Sequence, residues 1–562
     1  MTKSKFVIDH IYWERIQLYI EGHVEGIELK DKAIYLRNLT ETMQLKANHV
    51  EIQDNHFKAR FNVAILNDGN YLPSDEYLVI YKADYDYIAQ INDTLLDPNN
   101  YDLTEEALIE YEEKETKNSK NNYLLAYYKW VFKKGGNSKQ TEYSVSPVIS
   151  SEVNEFVLDI KFKSPNPKTN PLKLKINELK GKYNKYSYNL RDFTFKTIFN
   201  LTRFFHLRKG NTVLFTSDSR SDMSGNFLYV YNEMLRQNLD QHYQIHALFK
   251  SNISARRNFL DKFRFPYLLG KADYIFVDDF HPLLYKVKFR RSQEIIQVWH
   301  AVGAFKTVGY SRAGKKGGPF FNSVNHRNYT KAFVSSETDI PFYGEAFGIK
   351  EQNIIPTGVP RTDTLFDEYY EQQIVREMET ELPMIQGKKV VLFAPTFRGN
   401  GHHTAHYPFF KIDFARLARY CEANNAVVLF KMHPFVKNKL EIPRQYEHYF
   451  VDVSEFREVN DILFVTDILI SDYSSLVYEF AVFKRPMIFY AFDLEDYITS
   501  RDFYEPYETF VPGKIVETFT ELMTALEQGD FEVEKVEPFL DKHFKYQDGR
   551  SSERLVRNVF GS

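Results

Sequence analysis

One cysteine stands in the whole chain, Cys421, so no intrachain disulfide can staple it. Its apolar neighbours mark a packed thiol rather than a nucleophile. No stretch offers about 20 uninterrupted apolar residues, so nothing in it reads as a membrane span. The opening segment, Met1 to His10, lacks the apolar centre of a secretory leader, and the expected location is the cytosol or the inner membrane face, peripherally. Neither sign of charge prevails: 72 Lys and Arg against 76 Asp and Glu leave −4. No overall field therefore recruits nucleic acid, and an anionic partner must be met by a local patch. Repeats of solenoid period are absent too.

What the chain does have is length and apolar content. With 562 residues and 43% hydrophobic side chains it exceeds one ordinary domain, and about three are expected. Residues 1–163 show short alternating runs broken by turn residues, as in Phe57 to Leu66 before Asn67-Asp68-Gly69-Asn70. This is hairpin grammar, and it predicts an immunoglobulin-like β-sandwich with a polar helical insertion around Leu103 to Lys120. No catalytic constellation occurs there. Polymer recognition, subunit contact in a homo-oligomer and plain support all remain open.

Residues 164–210 form a connector that opens on Pro165, Pro167 and Pro171 and turns basic and aromatic. Between Lys161 and Lys209 there are 13 Lys or Arg and 2 acids, Glu178 and Asp192. Leu190, Phe193, Thr197, Leu201 and Phe204 fall near helical spacing, with Phe199 and Phe205 widening the face. Two readings stand side by side: the aromatics enter an anionic bilayer, or they pack on the protein and the lysines are solvated.

From residue 211 strands alternate with helices: Thr212 to Thr216, Tyr243 to Phe249, Tyr274 to Val277, Ile295 to Val298 and Lys331 to Val334. A second series follows with Val390 to Phe393, Ala426 to Phe430, Ile468 to Ile470 and Met487 to Tyr490. Such alternation predicts parallel, doubly wound sheets. Two halves, 211–360 and 361–540, facing each other across a cleft make an α/β GT-B-like architecture, and 541–562 supplies a final helix that crosses back to the first half.

Three motifs carry chemistry. In Ile470-Ser471-Asp472-Tyr473-Ser474-Ser475, a buried strand runs into polar residues at a helix start, where unpaired N–H groups and the hydroxyls of Ser474 and Ser475 would seat a phosphate. An ordinary helix cap explains the same residues. Glu479 lies one turn on, within reach of a ribose hydroxyl. Trp299-His300 ends one strand and Met432-His433-Pro434 ends another. Strand ends are where α/β proteins place reactive side chains. A lone histidine is usually structural; two at strand ends with a phosphate seat downstream read as a site.

These motifs, with Ala394-Pro395-Thr396-Phe397-Arg398 between them, occur in the order of the CDP-glycerol glycerophosphotransferase family, which the chain resembles from about Asn211 onward. Along its whole length it resembles the family's poly(ribitol phosphate) polymerases of Gram-positive wall teichoic acid synthesis. Many family members follow Trp-His with Gly-Thr-Pro, whereas Ala301-Val302-Gly303 follows here, compatible with another polyol.

The resemblance implies GT-B halves and transfer of ribitol phosphate from CDP-ribitol to the terminal hydroxyl of a lipid-linked teichoic acid acceptor at the anionic membrane surface, releasing CMP. His300 is the expected general base and His433 the group that stabilises the departing phosphate. Thr396, Arg398, Asp472, Ser474 and Ser475 would hold the diphosphate, and Glu479 the ribose. On the resemblance alone, Ser454 and the Val459-Asn460-Asp461 turn would hold the cytidine. Trp299 belongs beside His300. Lys306 and Glu337 are candidates for the acceptor, with surface salt bridges as the plainer reading. Glycerol phosphate transfer, a nucleotide-sugar glycosyltransferase and a polymer-binding scaffold are the alternatives.

No cofactor and no metal-ligating site is expected, and a divalent-ion requirement is not legible in the sequence. Asp278-Asp279 reads as a helix cap rather than a metal pair, and His402, His403 and His406 lack zinc spacing in a glycine-rich loop at the cleft. Lys315-Lys316-Gly317-Gly318 lacks the order of a P-loop and reads as a basic loop that steers an anionic acceptor.

Overall fold

The computed structural model describes residues 4–561 apart from 27, 30–32, 84, 135–140, 164–188, 208–209, 254, 316–317, 400–403, 457 and 501. The connector's prolines, His402, His403, Lys316 and Gly317 therefore lie outside the described residues.

Beyond residue 211 the chain builds two six-stranded parallel sheets. Strands such as Tyr274–Val277, Ala426–Phe430 and Met487–Tyr490 are buried at every position. Continuous apolar runs are what parallel strands covered on both faces require. In the first sheet the order is Gln244–Phe249, Thr212–Ser217, Tyr274–Val277, Glu294–Gln297, Lys331–Val334, Ile354–Pro356. In the second it is Phe450–Asp452, Ala426–Phe430, Lys389–Phe393, Ile468–Ser471, Met487–Tyr490, Lys514–Val516. The edge strands Ile354–Pro356, Phe450–Asp452 and Lys514–Val516 have three residues each, too few to leave a sequence pattern. In the second sheet Lys389–Phe393 lies beside Ile468–Ser471, and there the strand order reverses. A reversal opens a crevice at the carboxyl ends of the two strands.

The β-rich N-terminal region differs from two discrete layers. Its eleven strands form one hydrogen-bonded sheet, because Asp86–Ile91 pairs parallel with Lys5–Glu14 and antiparallel with Asp75–Lys82. Inward residues from both groups, among them Phe6, Ile8, Leu18, Ile20, Val79 and Leu158, fill a single core. Two helices, Glu105–Glu112 and Lys117–Leu125, start on the side-chain caps Thr104 and Thr116. The same core takes in Tyr310, Phe320 and Phe321 from the first parallel half. Phe321 stacks on Tyr143 at 4.3 Å, and Arg15 and Gln17 both bind the carboxylate of Glu345. The β-rich region is thereby fastened to the half that carries His300.

A helix over 189–205 leads into the first sheet. Phe195 and Phe199 turn inward, while Leu190, Phe193, Leu201, Phe204 and Phe205 are exposed. Phe199 thus leaves the face on which its spacing put it. Gly270 lets this helix come close: a Cβ there would stand 2.8 Å from the Phe199 carbonyl oxygen. The last helix, Ser551–Phe560, packs Leu555, Val556 and Val559 on the first sheet's core, and its first N–H groups, those of Ser551 and Ser552, donate to Asp363 at 2.8 Å each.

Candidate active site

At the reversal point of the second sheet, the loop after Lys389–Phe393 meets the loop after Ile468–Ser471. Asp472 is buried, and its Oδ1 accepts from the backbone N–H of Thr396 at 2.7 Å and of Tyr473 at 2.5 Å. Its Oδ2 accepts from Arg398 Nη1 at 2.9 Å. Arg398 also grips Asp493 through Nε at 2.5 Å and Nη2 at 2.8 Å. Burial pulls the Arg398 pKa down, but the two carboxylates outweigh it and hold the guanidinium firmly charged. The fork expected to meet a diphosphate is therefore committed to Asp493 and Asp472, and Arg398 orients both loops. Asp472 likewise ties the two loops together through these three hydrogen bonds. The Thr396 hydroxyl, buried at the same place, has no hydrogen-bond partner among the described residues.

The helix after this loop is Leu476–Ala481, buried throughout, so the polar residues precede it instead of forming its first turn. Ser474 Oγ accepts from the Leu476 N–H at 3.3 Å, and Ser475 makes no side-chain cap. Both serines are half-buried. Glu479 is buried and paired with Arg361, and its Oε2 has no hydrogen-bond partner among the described residues.

His433 follows Ala426–Phe430, packed between Phe397 at 4.8 Å and Phe435 at 4.5 Å. The Phe435 N–H donates to His433 Nδ1 at 3.1 Å. A backbone N–H can only donate, so Nδ1 holds the lone pair and Nε2 carries the proton. Ser454 supports this loop from behind: its Oγ accepts from the Met432 N–H at 2.9 Å, and Lys431 donates to its carbonyl at 2.8 Å. Phe397, Arg398, Asp493 and Tyr497 line a cavity of about 320 Å³. Lys306, from the first half, lies 5.4 Å over the ring of Tyr497. His433 thus packs on one wall of this cavity, at Phe397, and Lys306 from the other half on another, at Tyr497.

His300 stands past the end of Glu294–Gln297 with its side chain 49% exposed. Its Nδ1 faces two acceptors, the Asp278 carbonyl at 3.4 Å and Asp279 Oδ1 at 3.9 Å. That assigns the proton to Nδ1 and leaves Nε2 as a base. Trp299 before it is buried against Tyr343 and Phe347 and adopts φ 46°, a conformation a bulky residue rarely holds. Asn226 holds it there: Nδ2 donates to the carbonyls of Val298 at 3.0 Å and Trp299 at 2.6 Å. The Asn226 Oδ1 accepts from the Arg361 N–H at 3.0 Å, and Arg361 in turn holds Glu479. Farther along the loop, a Cβ on Gly303 would stand 2.4 Å from Tyr478. The His300 loop therefore lies directly on the helix that follows Ser475.

Glu337 stands apart, its carboxylate on Lys545 and held below the usual range by that hydrogen bond. Asp278 caps no helix; it pairs with Arg220, and the Asp279 carboxylate turns to the Phe280 N–H at 2.6 Å. Lys315 pairs with Asp502. His406 Nδ1 lies 3.0 Å from the Thr404 carbonyl, and among the described residues no cluster could hold a metal ion. Cys421 is buried, its thiol pushed up to about 12 by burial.

A family model described as CDP-glycerol:poly(glycerophosphate) glycerophosphotransferase matches residues 198–561. The teichoic acid ribitol-phosphate polymerase TarL of Staphylococcus aureus (strain NCTC 8325 / PS 47) is 69% identical over 562 residues, 100% of both chains. TarK of the same strain, also a teichoic acid ribitol-phosphate polymerase, is 66% identical over 511 residues, 91% of this chain and 100% of that one. Among solved structures, the wall teichoic acid polymerase TagF superposes with a TM-score of 0.55 at 21% identity, covering 69% of this chain and 98% of that chain, a likeness of fold.

Proposed function

The chain belongs to the CDP-glycerol:poly(glycerophosphate) glycerophosphotransferase family, and from that premise we propose that it is a wall teichoic acid polymerase that adds ribitol phosphate from CDP-ribitol to a polyol phosphate chain. The observation that carries this reading is the likeness over the full length to relatives named for ribitol phosphate. We read the two parallel sheets as the halves of a GT-B fold and the β-rich region as a sandwich closed on one core.

In the reaction, the terminal hydroxyl of the chain attacks the β-phosphorus of CDP-ribitol. A phosphorus–oxygen bond forms to the acceptor, the bond to the bridging oxygen breaks, and CMP leaves. His300 Nε2 takes the hydroxyl proton, and such transfer contributes roughly a hundredfold to ten-thousandfold in rate. His433, with its proton on Nε2, donates to the departing phosphate oxygens, helped by the hydroxyls of Thr396, Ser474 and Ser475. Arg398 and Asp472 keep those groups in place. Glu479 holds the ribose through Oε2, and Ser454 shapes the cytidine pocket. Lys306, at the junction of the halves, meets the anionic acceptor.

The acceptor is lipid-linked, and the enzyme works on the cytoplasmic face of the membrane as a peripheral protein. In support, Phe193 is 68% and Phe205 76% exposed on a helix that also carries Arg191, Lys196 and Arg203. No helix among the described residues is long and apolar enough to cross a membrane.

The test is to offer purified protein a lipid-linked primer with CDP-ribitol, CDP-glycerol or a UDP-sugar and to measure the nucleotide released. CMP from CDP-ribitol, in step with chain growth, is expected. Preference for CDP-glycerol or a UDP-sugar would overturn the reading.

A further inference from the structure

A groove of about 500 Å³ runs between helix 189–205 and helix Asp261–Lys271, and the transfer reaction uses none of it. Its inner end is a buried charge cluster beside the point where the first sheet reverses its strand order, between Thr212–Ser217 and Tyr274–Val277. Asp218 takes Lys250 Nζ at 3.1 Å and Arg257 Nη2 at 2.7 Å. His281 adds no charge to the balance, because burial holds its pKa down to about 4. Two cations, Lys250 and Arg257, thus share the Asp218 carboxylate, and Asp261 at the groove wall also acts on Arg257.

The Arg257 side chain is 7% exposed and packs over Phe265 at 4.1 Å. Even so, its Nε and Nη1 have no hydrogen-bond partner among the described residues. Unmet donors on a buried cation leave this corner with hydrogen-bonding capacity for an anion. Beyond it Leu190, Phe195, Phe259, Phe263 and Leu283 give the groove an apolar lining, with charged side chains such as Arg191, Asp192 and Lys262 along it. A free phosphate would fill only the corner; the volume suits a larger ligand with a hydrocarbon part.

The geometry points to a site for an amphiphilic phosphate: a phosphate or diphosphate ester with its oxygens on Arg257 and Lys250 and its hydrocarbon chain along Phe195, Phe259 and Phe263. Charge complementarity selects the head and the apolar lining selects the tail. That this ligand is the lipid anchor of the acceptor rests on the proposed function. Asp278, at the carboxyl end of the neighbouring strand Tyr274–Val277, touches the His300 ring through its carbonyl. Holding the lipid end there keeps the growing chain near the base from one addition to the next.

Farnesyl diphosphate, inorganic pyrophosphate and farnesol, each titrated calorimetrically into the full-length protein, test this. Farnesyl diphosphate is expected to bind about tenfold or more tightly than either fragment. Arg257→Gln and Phe259→Asp should each weaken it about tenfold or more. Arg257→Gln disturbs a buried ion pair and could unfold the region; Phe259, 71% exposed, carries no such risk and keeps the test decisive. Equal affinity for pyrophosphate, equal affinity for farnesol, or undiminished binding by Phe259→Asp would overturn the assignment. No nucleotide is present and nothing turns over, so a negative result leaves the transferase reading to its own assay.

Discussion

His300 and His433 carry their ring protons on opposite nitrogens. The Asp278 carbonyl draws the proton of His300 to Nδ1, and the Phe435 N–H forces the proton of His433 to Nε2. One ring therefore presents a base at Nε2 and the other a donor at Nε2, the pair of roles that the transfer needs. Long-range proton–nitrogen NMR on protein labelled at histidine, with each ring assigned by substitution, should show the Nδ1–H form for His300 and the Nε2–H form for His433 in neutral protein. The same tautomer at both positions would contradict the division of labour.

On the proposed mechanism Asn226 positions His300 through the backbone of Val298 and Trp299. Its amide holds the backbone of Trp299 at a positive φ. Asn226→Ala should lower kcat about 10- to 100-fold, the cost of losing hydrogen bonds at a buried site, with the KM for CDP-ribitol nearly unchanged. A raised KM with normal kcat would assign Asn226 to donor binding instead.

Arg398 distinguishes a structural clamp from a free phosphate fork. Arg398→Ala leaves Asp472 and Asp493 without their cation and should cost about 3–5 kcal/mol in urea unfolding, beyond its effect on turnover. A fork reserved for substrate would instead raise KM and leave stability alone.

Two kinds of buried titration oppose each other. Burial raises Asp339 to about 7 against the N–H groups of Ala304 and Ser336. Unfolded, an aspartate titrates near about 3.9, so between these values the folded state binds the extra proton and stability falls as pH rises. Burial lowers His281 and His326 to about 4 and His543 to about 3. For these the unfolded chain binds the extra protons, and stability falls as pH drops from about 6.5 toward those values. Burial also raises Asp278, Asp363 and Asp461 and lowers His246, but the large shifts are those of the three histidines and Asp339, so scanning calorimetry from about pH 6.5 to about pH 5 should show a falling Tm. Asp339→Asn removes the opposing contribution and should steepen the fall; a flatter profile would contradict the sign for Asp339.

The parallel sheets were legible because fully buried strands leave short apolar runs, and the strand-end rule found both His300 and His433. That rule extends to Asp493, just beyond Met487–Tyr490, although an acid after Phe492 carries no motif that marks it. Nothing in spacing or periodicity announces Asn226 and Arg361, whose parts are played through backbone groups and one ion pair between distant segments. Arg398 reads as a substrate cation in sequence because its two carboxylate partners lie 74 and 95 residues away. The continuous N-terminal sheet depends on one strand pairing to both sides, which alternation alone does not encode.

The most direct test of the central claim is CMP release from CDP-ribitol onto a lipid-linked primer by wild-type, His300→Ala and His433→Ala protein, with melting recorded for each. Each variant should melt like the wild type while turnover falls about a hundredfold or more. Wild-type turnover in either folded variant would contradict the assignment of the two imidazoles as base and phosphate donor.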